Sequence, residues 1–175
     1  MHTAMKAYRP MPDKKPVSPN EAYAWTTQRC ARSEQCRSEI LEKLRQRGLP
    51  ANEAEALCDR LEDEGYIAEQ RYADAFVHDK LLFDHWGRVK ITQTLRMRGI
   101  SSDKISAAFE KNYDDTAYRE ALTHLLEKKA ASLPPEEDIY KRMEKLVRFA
   151  ASRGYEPELI FEILLSVKTF RFDKI

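Results

Sequence analysis

Two histidines with acidic neighbours, in His78-Asp79 and Asp84-His85, are the first residues of this 175-residue chain whose types suggest chemistry. Imidazole and carboxylate are the donors that hold zinc and similar ions, but a site needs three or four of them converging. These histidines stand seven positions apart with no further ligand at coordinating spacing. The run Glu62-Asp63-Glu64 could supply paired carboxylates for acid–base work. At the end of a helix-periodic segment it reads instead as a solvated helix terminus. Three cysteines, Cys30, Cys36 and Cys58, are odd in number and form no CxxC pair. With no apolar signal segment in MHTAMKAYRPMPDKKP, they imply free thiols in a reducing, cytoplasmic setting. There is no phosphate-binding glycine loop, nucleophile elbow or HExxH. All five glycines fall at expected helix boundaries, leaving none for a substrate cradle. The expectation is a protein that is not an enzyme and holds no metal or cofactor.

What remains is charge. The stretch HWGRVKITQTLRMRGI, residues 85–100, concentrates Arg88, Lys90, Arg96 and Arg98 beside Trp86. Net charge is only +1, so no global field announces a nucleic-acid or membrane partner. The balance hides an alternation. Residues 1–50 hold 10 basic and 5 acidic side chains, and residues 51–79 hold 2 and 9. Residues 80–112 are again net basic, 113–138 net acidic and 139–175 net basic. Opposite blocks can hold neighbouring units in register, at little gain per exposed pair. They can also line basic helices into a stripe for an acidic protein surface or for phosphates. At about 100° per residue the four cations spread around their helix and make no single clean face. No apolar run approaches the roughly 18 residues of a membrane span.

The elements that carry these residues follow from a repeat. Arg-Gly followed by an apolar residue occurs at Arg47-Gly48-Leu49, Arg98-Gly99-Ile100 and Arg153-Gly154-Tyr155. Eight before each glycine stand Ile40, Ile91 and Leu146, and four before stand Leu44, Leu95 and Ala150. Six after come Ala54, Ile105 and Ile160, and ten after come Cys58, Phe109 and Leu164. Each set shares one helix face, and glycine ends the first helix in a left-handed conformation at low cost. Ser101-Ser102-Asp103 offers a cap and a first-turn acid, and Pro157 suits a first helical position. A further helix precedes each pair, over residues 19–32, 69–83 and 115–132, opened in the first case by a Ser18-to-Glu21 capping box. Ile91 and Leu95 lie on one side of the middle helix, Val89 and Met97 on the other, so that helix is expected to be sandwiched.

The chain therefore reads as all-α: three tandem three-helix repeats forming an elongated, curved helical array. A Pro-rich flexible arm is expected over 1–17, then repeats over 18–66, 67–112 and 113–175. Gly48, Gly87, Gly99 and Gly154 are structural, and replacing Gly99 with Val should strain the helix stop by about 1 kcal/mol or more.

The segment EGYIAEQRYADAFVHDKLLFDHWGRVKITQTLRMRGIS, Glu64 to Ser101, resembles the core signature of the RecX regulatory proteins. That signature has an acidic joint, an Arg-aromatic-Ala helix opening, a Gly-x-Arg-Ile-like turn and a Leu-x-x-Arg-Gly-Ile close. ARSEQCRSEILEKLRQRGL and EKLVRFAASRGYEPELIFEIL resemble the first and third units, extending the match over about residues 20–168. Glu69-Gln70 stands where the family usually has Asp-Glu, and His85-Trp86 where a glycine-containing turn is common before Gly87. The chain is expected to be a monomer. The resemblance implies three tandem three-helix repeats and binding to the RecA recombinase filament, in its helical groove or at its end. It further implies that binding restrains filament growth, ATP hydrolysis and strand exchange in recombination and repair. Arg71, Lys80, Arg88, Lys90, Arg96 and Arg98 are the candidate contacts, with Trp86 as aromatic anchor or as a packing residue. The competing reading is a direct nucleic-acid binder that sets basic helices against phosphates, with at most weak affinity at this net charge.

Overall fold

The computed structural model describes residues 17–134 and 138–166, so the arm expected over 1–17 lies, but for Val17, outside the described residues. Among the described residues there are nine α-helices and no strand. Two compact units, Met1–Ile67 and Ala68–Ile175, carry them.

The first unit holds α1 (Pro19–Cys30), α2 (Arg37–Gln46) and α3 (Ala51–Asp63). Ser18 Oγ accepts from the Glu21 amide while the Glu21 carboxylate accepts from the Ser18 amide, so two otherwise unpaired donors are satisfied where the helix begins. Ile40 and Leu44 of α2 pack with Ala54, Cys58 and Leu61 of α3, over Ala22 of α1. Outside this core Arg37 reaches three carboxylates of α3: Glu62 at 2.7 Å, Asp59 at 2.7 Å and Glu55 at 3.1 Å. Burial pushes the Cys58 thiol up from its usual 9 to about 11. Below pH 9 that burial contributes its full stability, which is then lost as pH climbs toward 11. Iodoacetamide at pH 8 should label the half-buried Cys30 and spare Cys58 until the unit is denatured, as read by mass spectrometry of the native and denatured chains. Equal labelling of both would show that this core is open.

The second unit holds two helix triplets, α4 (Glu69–Leu82), α5 (Arg88–Met97) and α6 (Ser102–Asn112), then α7 (Asp115–Ser132), α8 (Ile139–Arg153) and α9 (Pro157–Ser166). The three Arg-Gly stops close alike. Leu49, Ile100 and Tyr155 amides donate back to the carbonyls of Leu44, Leu95 and Ala150 at 3.1, 3.1 and 3.3 Å. Gly48, Gly99 and Gly154 take φ of 85°, 85° and 88°, as a Schellman closure requires. Of the twelve apolar positions spaced around these glycines, eleven are buried; the twelfth, Phe109, lines a groove. α9 starts at Pro157 as its fixed φ suits. Two expectations need correcting. Ser101 is the N-cap of α6 but its hydroxyl makes no capping bond. Nor is α5 sandwiched, because Val89 is 40% and Met97 81% exposed.

The joint between the two triplets is made by main chain. The Gly87 amide donates to the Arg153 carbonyl (2.9 Å) and the Val89 amide to the Gly154 carbonyl (3.1 Å). A methyl added at Gly87 would lie 2.0 Å from the Gly154 oxygen. Buried Tyr118 completes the joint, accepting from the Arg88 amide (2.9 Å) and donating to Glu156 Oε2 (2.8 Å). Just before Gly87, His85 adopts φ 49°, a conformation in which a Cβ is unfavourable.

Candidate functional site

α4 and α5 bring part of the cationic set together on one aromatic strip. Tyr72 and Phe76, four residues apart on α4, stack with ring centroids 5.9 Å apart. Trp86, in the turn leading to α5, meets Phe76 edge to face at 6.2 Å. Cations cover the three rings in sequence. Lys90 Nζ lies 4.1 Å from the centre of the Trp86 ring and Lys80 Nζ 4.9 Å from it. Arg98 lies 4.7 Å from the Phe76 ring and hydrogen-bonds Tyr72 Oη. Lys90 on α5 and Arg98, its C-cap residue, are two turns apart, which puts both on the side of α4 and Trp86. Such cation–π contacts hold long side chains in place while leaving most of each charge directed to solvent. Lys80 is paired with Asp84, and that hydrogen bond holds the Asp84 carboxyl below the usual carboxylate range.

Arg88 and Arg96, also two turns apart, face the other way, into a groove of about 730 Å³ between α5 and α6. The Arg88 guanidinium lies 5.0 Å from the Tyr113 ring and 5.8 Å from Phe109, with Glu156 Oε1 3.5 Å from its Nε. Arg96 is exposed, and its side chain has no hydrogen bond, ion pair or ring contact among the described residues. The first triplet differs at the equivalent place. Arg37 stands as far before Gly48 as Arg88 does before Gly99, yet it and Arg45 are tied down by acids of α3. In α6 the positions matching Glu55, Asp59 and Glu62 hold Ser106, Glu110 and Tyr113. Arg88 and Arg96 thus lack the three-carboxylate clamp that holds Arg37 in the first triplet.

The predicted residues therefore divide. Lys80, Trp86, Lys90 and Arg98 form the strip, Arg88 and Arg96 line the groove, and Arg71 stands exposed on the first turn of α4. Tyr72 and Phe76, with Trp86, are what the cations rest on. The spacing of Tyr72 and Phe76 with Lys80, in steps of four, was the signal for this role. Gly87 and Gly154 hold the joint, while Gly48 and Gly99 serve the helix stops. His78 and Asp79 meet at 3.1 Å, and among the described residues no group of three metal-ligating side chains gathers there or elsewhere.

Comparison with known proteins fits this arrangement. Residues 69–108, which take in α4, α5 and most of α6, match the model for the RecX second three-helix domain. Residues 117–164 match the model for its third three-helix domain. Over 134 residues the chain is 34% identical to the "Regulatory protein RecX" of Pseudomonas fluorescens Pf-5, covering 77% of this chain and 83% of that protein. The chain belongs to the RecX family. The regulatory protein RecX of Trichlorobacter lovleyi is 29% identical over 121 residues, covering 69% of this chain and 79% of its own length. RecX from Lactobacillus salivarius, a solved structure, superposes with a TM-score of 0.67 at 19% identity, covering 86% of this chain and 97% of its own. A second crystal structure of regulatory protein RecX gives 0.67 at 21% identity, covering 83% of this chain and 70% of that one. These likenesses establish a regulatory protein family and an all-α, three-helix repeat fold. Among the described residues no helix is long and apolar enough to cross a membrane.

Proposed function

We propose that this chain binds the filament of the RecA recombinase and restrains its growth, ATP hydrolysis and strand exchange. It does so as a cytoplasmic monomer with no catalysis of its own. The match of α4–α9 to the family's second and third domains carries the reading. The cation–aromatic strip supports it physically, because side chains already held on rings lose little further freedom when an acidic surface arrives. Several modest contacts on one rigid unit then add without a new ordering cost for each.

The test is RecA ATPase on single-stranded DNA with and without the chain, beside DNA binding by the chain alone across a salt series. Inhibition at concentrations well below those needed for its own DNA binding is the expected result. The second reading, direct nucleic-acid binding, is favoured by the cations gathered on α4 and α5, whose charge suits phosphates. Its outcome would be no inhibition, with tight DNA binding that falls steeply as salt rises.

A further inference from the structure

A second surface of the Ala68–Ile175 unit lies away from the strip. Between α7 and α8, where the end of α4 comes in, is a groove of about 510 Å³. Half-buried Leu125 and Phe149 line it, and Phe83 stands at its edge 72% exposed. Lys128, Lys129 and Arg153 surround these apolar groups. None of the three is paired with a carboxylate among the described residues. Several other cations of the unit are matched within the chain, as in Arg88–Glu156, Lys104–Glu69, Lys111–Asp74 and Arg119–Glu162. Asp84, the one carboxylate lining the groove among the described residues, is bonded to Lys80 and feels the Arg153 charge only at longer range. An apolar floor inside a ring of unmatched positive charge is complementary to acid and hydrophobe presented together.

Resting on the filament reading above, we propose that this groove docks an acidic protein segment of the regulated filament, one carrying an apolar side chain. The apolar group sits against Leu125, Phe149 and Phe83, and its flanking carboxylates meet Lys128, Lys129 and Arg153. In this mode the apolar anchor sets position and the charged rim sets orientation. A nucleic-acid strand fits less well. Bases need open ring faces for stacking, and the Phe149 ring already carries Lys129 at 5.3 Å and Arg153 at 5.6 Å.

The experiment is co-sedimentation of the full chain with RecA filaments on single-stranded DNA. It compares wild type with Lys128→Glu/Lys129→Glu and Phe83→Ser, and with Lys141→Glu as a charge control outside the groove. All four positions are surface sites, and circular dichroism checks that each variant is folded. The double variant should weaken filament binding by at least about tenfold and Phe83→Ser by about fivefold. Lys141→Glu should stay within about twofold, and each variant should keep its own affinity for single-stranded DNA. Groove variants that sediment like wild type overturn the groove while leaving the filament reading standing. A parallel loss of DNA affinity assigns the groove to nucleic acid and overturns it too. A wild-type chain that fails to sediment overturns the filament reading itself, and this inference with it.

Discussion

Gly87→Ala should destabilise the Ala68–Ile175 unit by at least about 3 kcal/mol, an effect out of proportion to one methyl group. The added Cβ would lie 2.0 Å from the Gly154 oxygen, 2.1 Å from its carbonyl carbon and 2.2 Å from the Tyr155 nitrogen. All three are main-chain atoms, so no rotamer change can clear the contact and the two triplets must separate. Separation breaks the Gly87–Arg153 and Val89–Gly154 hydrogen bonds, each worth about 1 kcal/mol net and more if its groups stay buried and unpaired. Gly154→Ala meets the same wall from the other side, with Lys90 Cβ 2.2 Å away, and adds the left-handed strain of φ 88°. Gly99→Ala is the internal control. Its φ is 85°, but nothing lies within 4 Å of an added methyl, so it should cost only about 1 kcal/mol. Urea unfolding of the three variants measures the ordering. Comparable small losses at Gly87 and Gly99 would mean that the joint is loose.

Trp86→Ala should raise the concentration of chain needed to inhibit RecA ATPase by about 30-fold, equivalent to about 2 kcal/mol of partner binding. Removing the indole takes the ring from beneath Lys80 and Lys90 together and leaves Phe76 without its edge contact. Lys90 then becomes free to sample solvent, while Lys80 keeps only Asp84 and the Phe76 ring, and ordering Lys90 again weakens binding. Trp86→Phe, which restores a ring, should recover most of the inhibition. Because Trp86 is half-buried, Trp86→Ala also lowers stability, so inhibition is compared at a temperature where both proteins are folded. Normal inhibition by a folded Trp86→Ala protein would make the ring a packing residue and nothing more.

Much of the helix architecture is legible without coordinates because it depends on neighbours in sequence. The Arg-Gly stops, the capping box at Ser18 and Glu21, and the apolar spacing around each glycine are governed by backbone sterics and helix period, which act over a few residues. That is why eleven of the twelve spaced apolar positions are buried as the pattern requires. Where reasoning from helix period failed, it failed for one reason. Val89 and Met97 are apolar on the far side of α5, and period alone implies a cover there; whether anything covers them depends on distant chain.

The site divides along the same line. Sequence by itself determined which residues carry charge, which helices carry those residues, and the family to which the pattern belongs. Tertiary structure alone decided that Lys90 turns toward Trp86 and Arg98 toward the rings of α4, while Arg88 and Arg96 turn toward α6. It also decided that Gly87 and Gly154, 67 positions apart in the chain, touch backbone to backbone. Lys128, Lys129 and Arg153 border one apolar groove for the same reason. Local conformation follows from short-range sterics and periodicity, whereas the approach of side chains far apart in sequence is set by how whole helices pack.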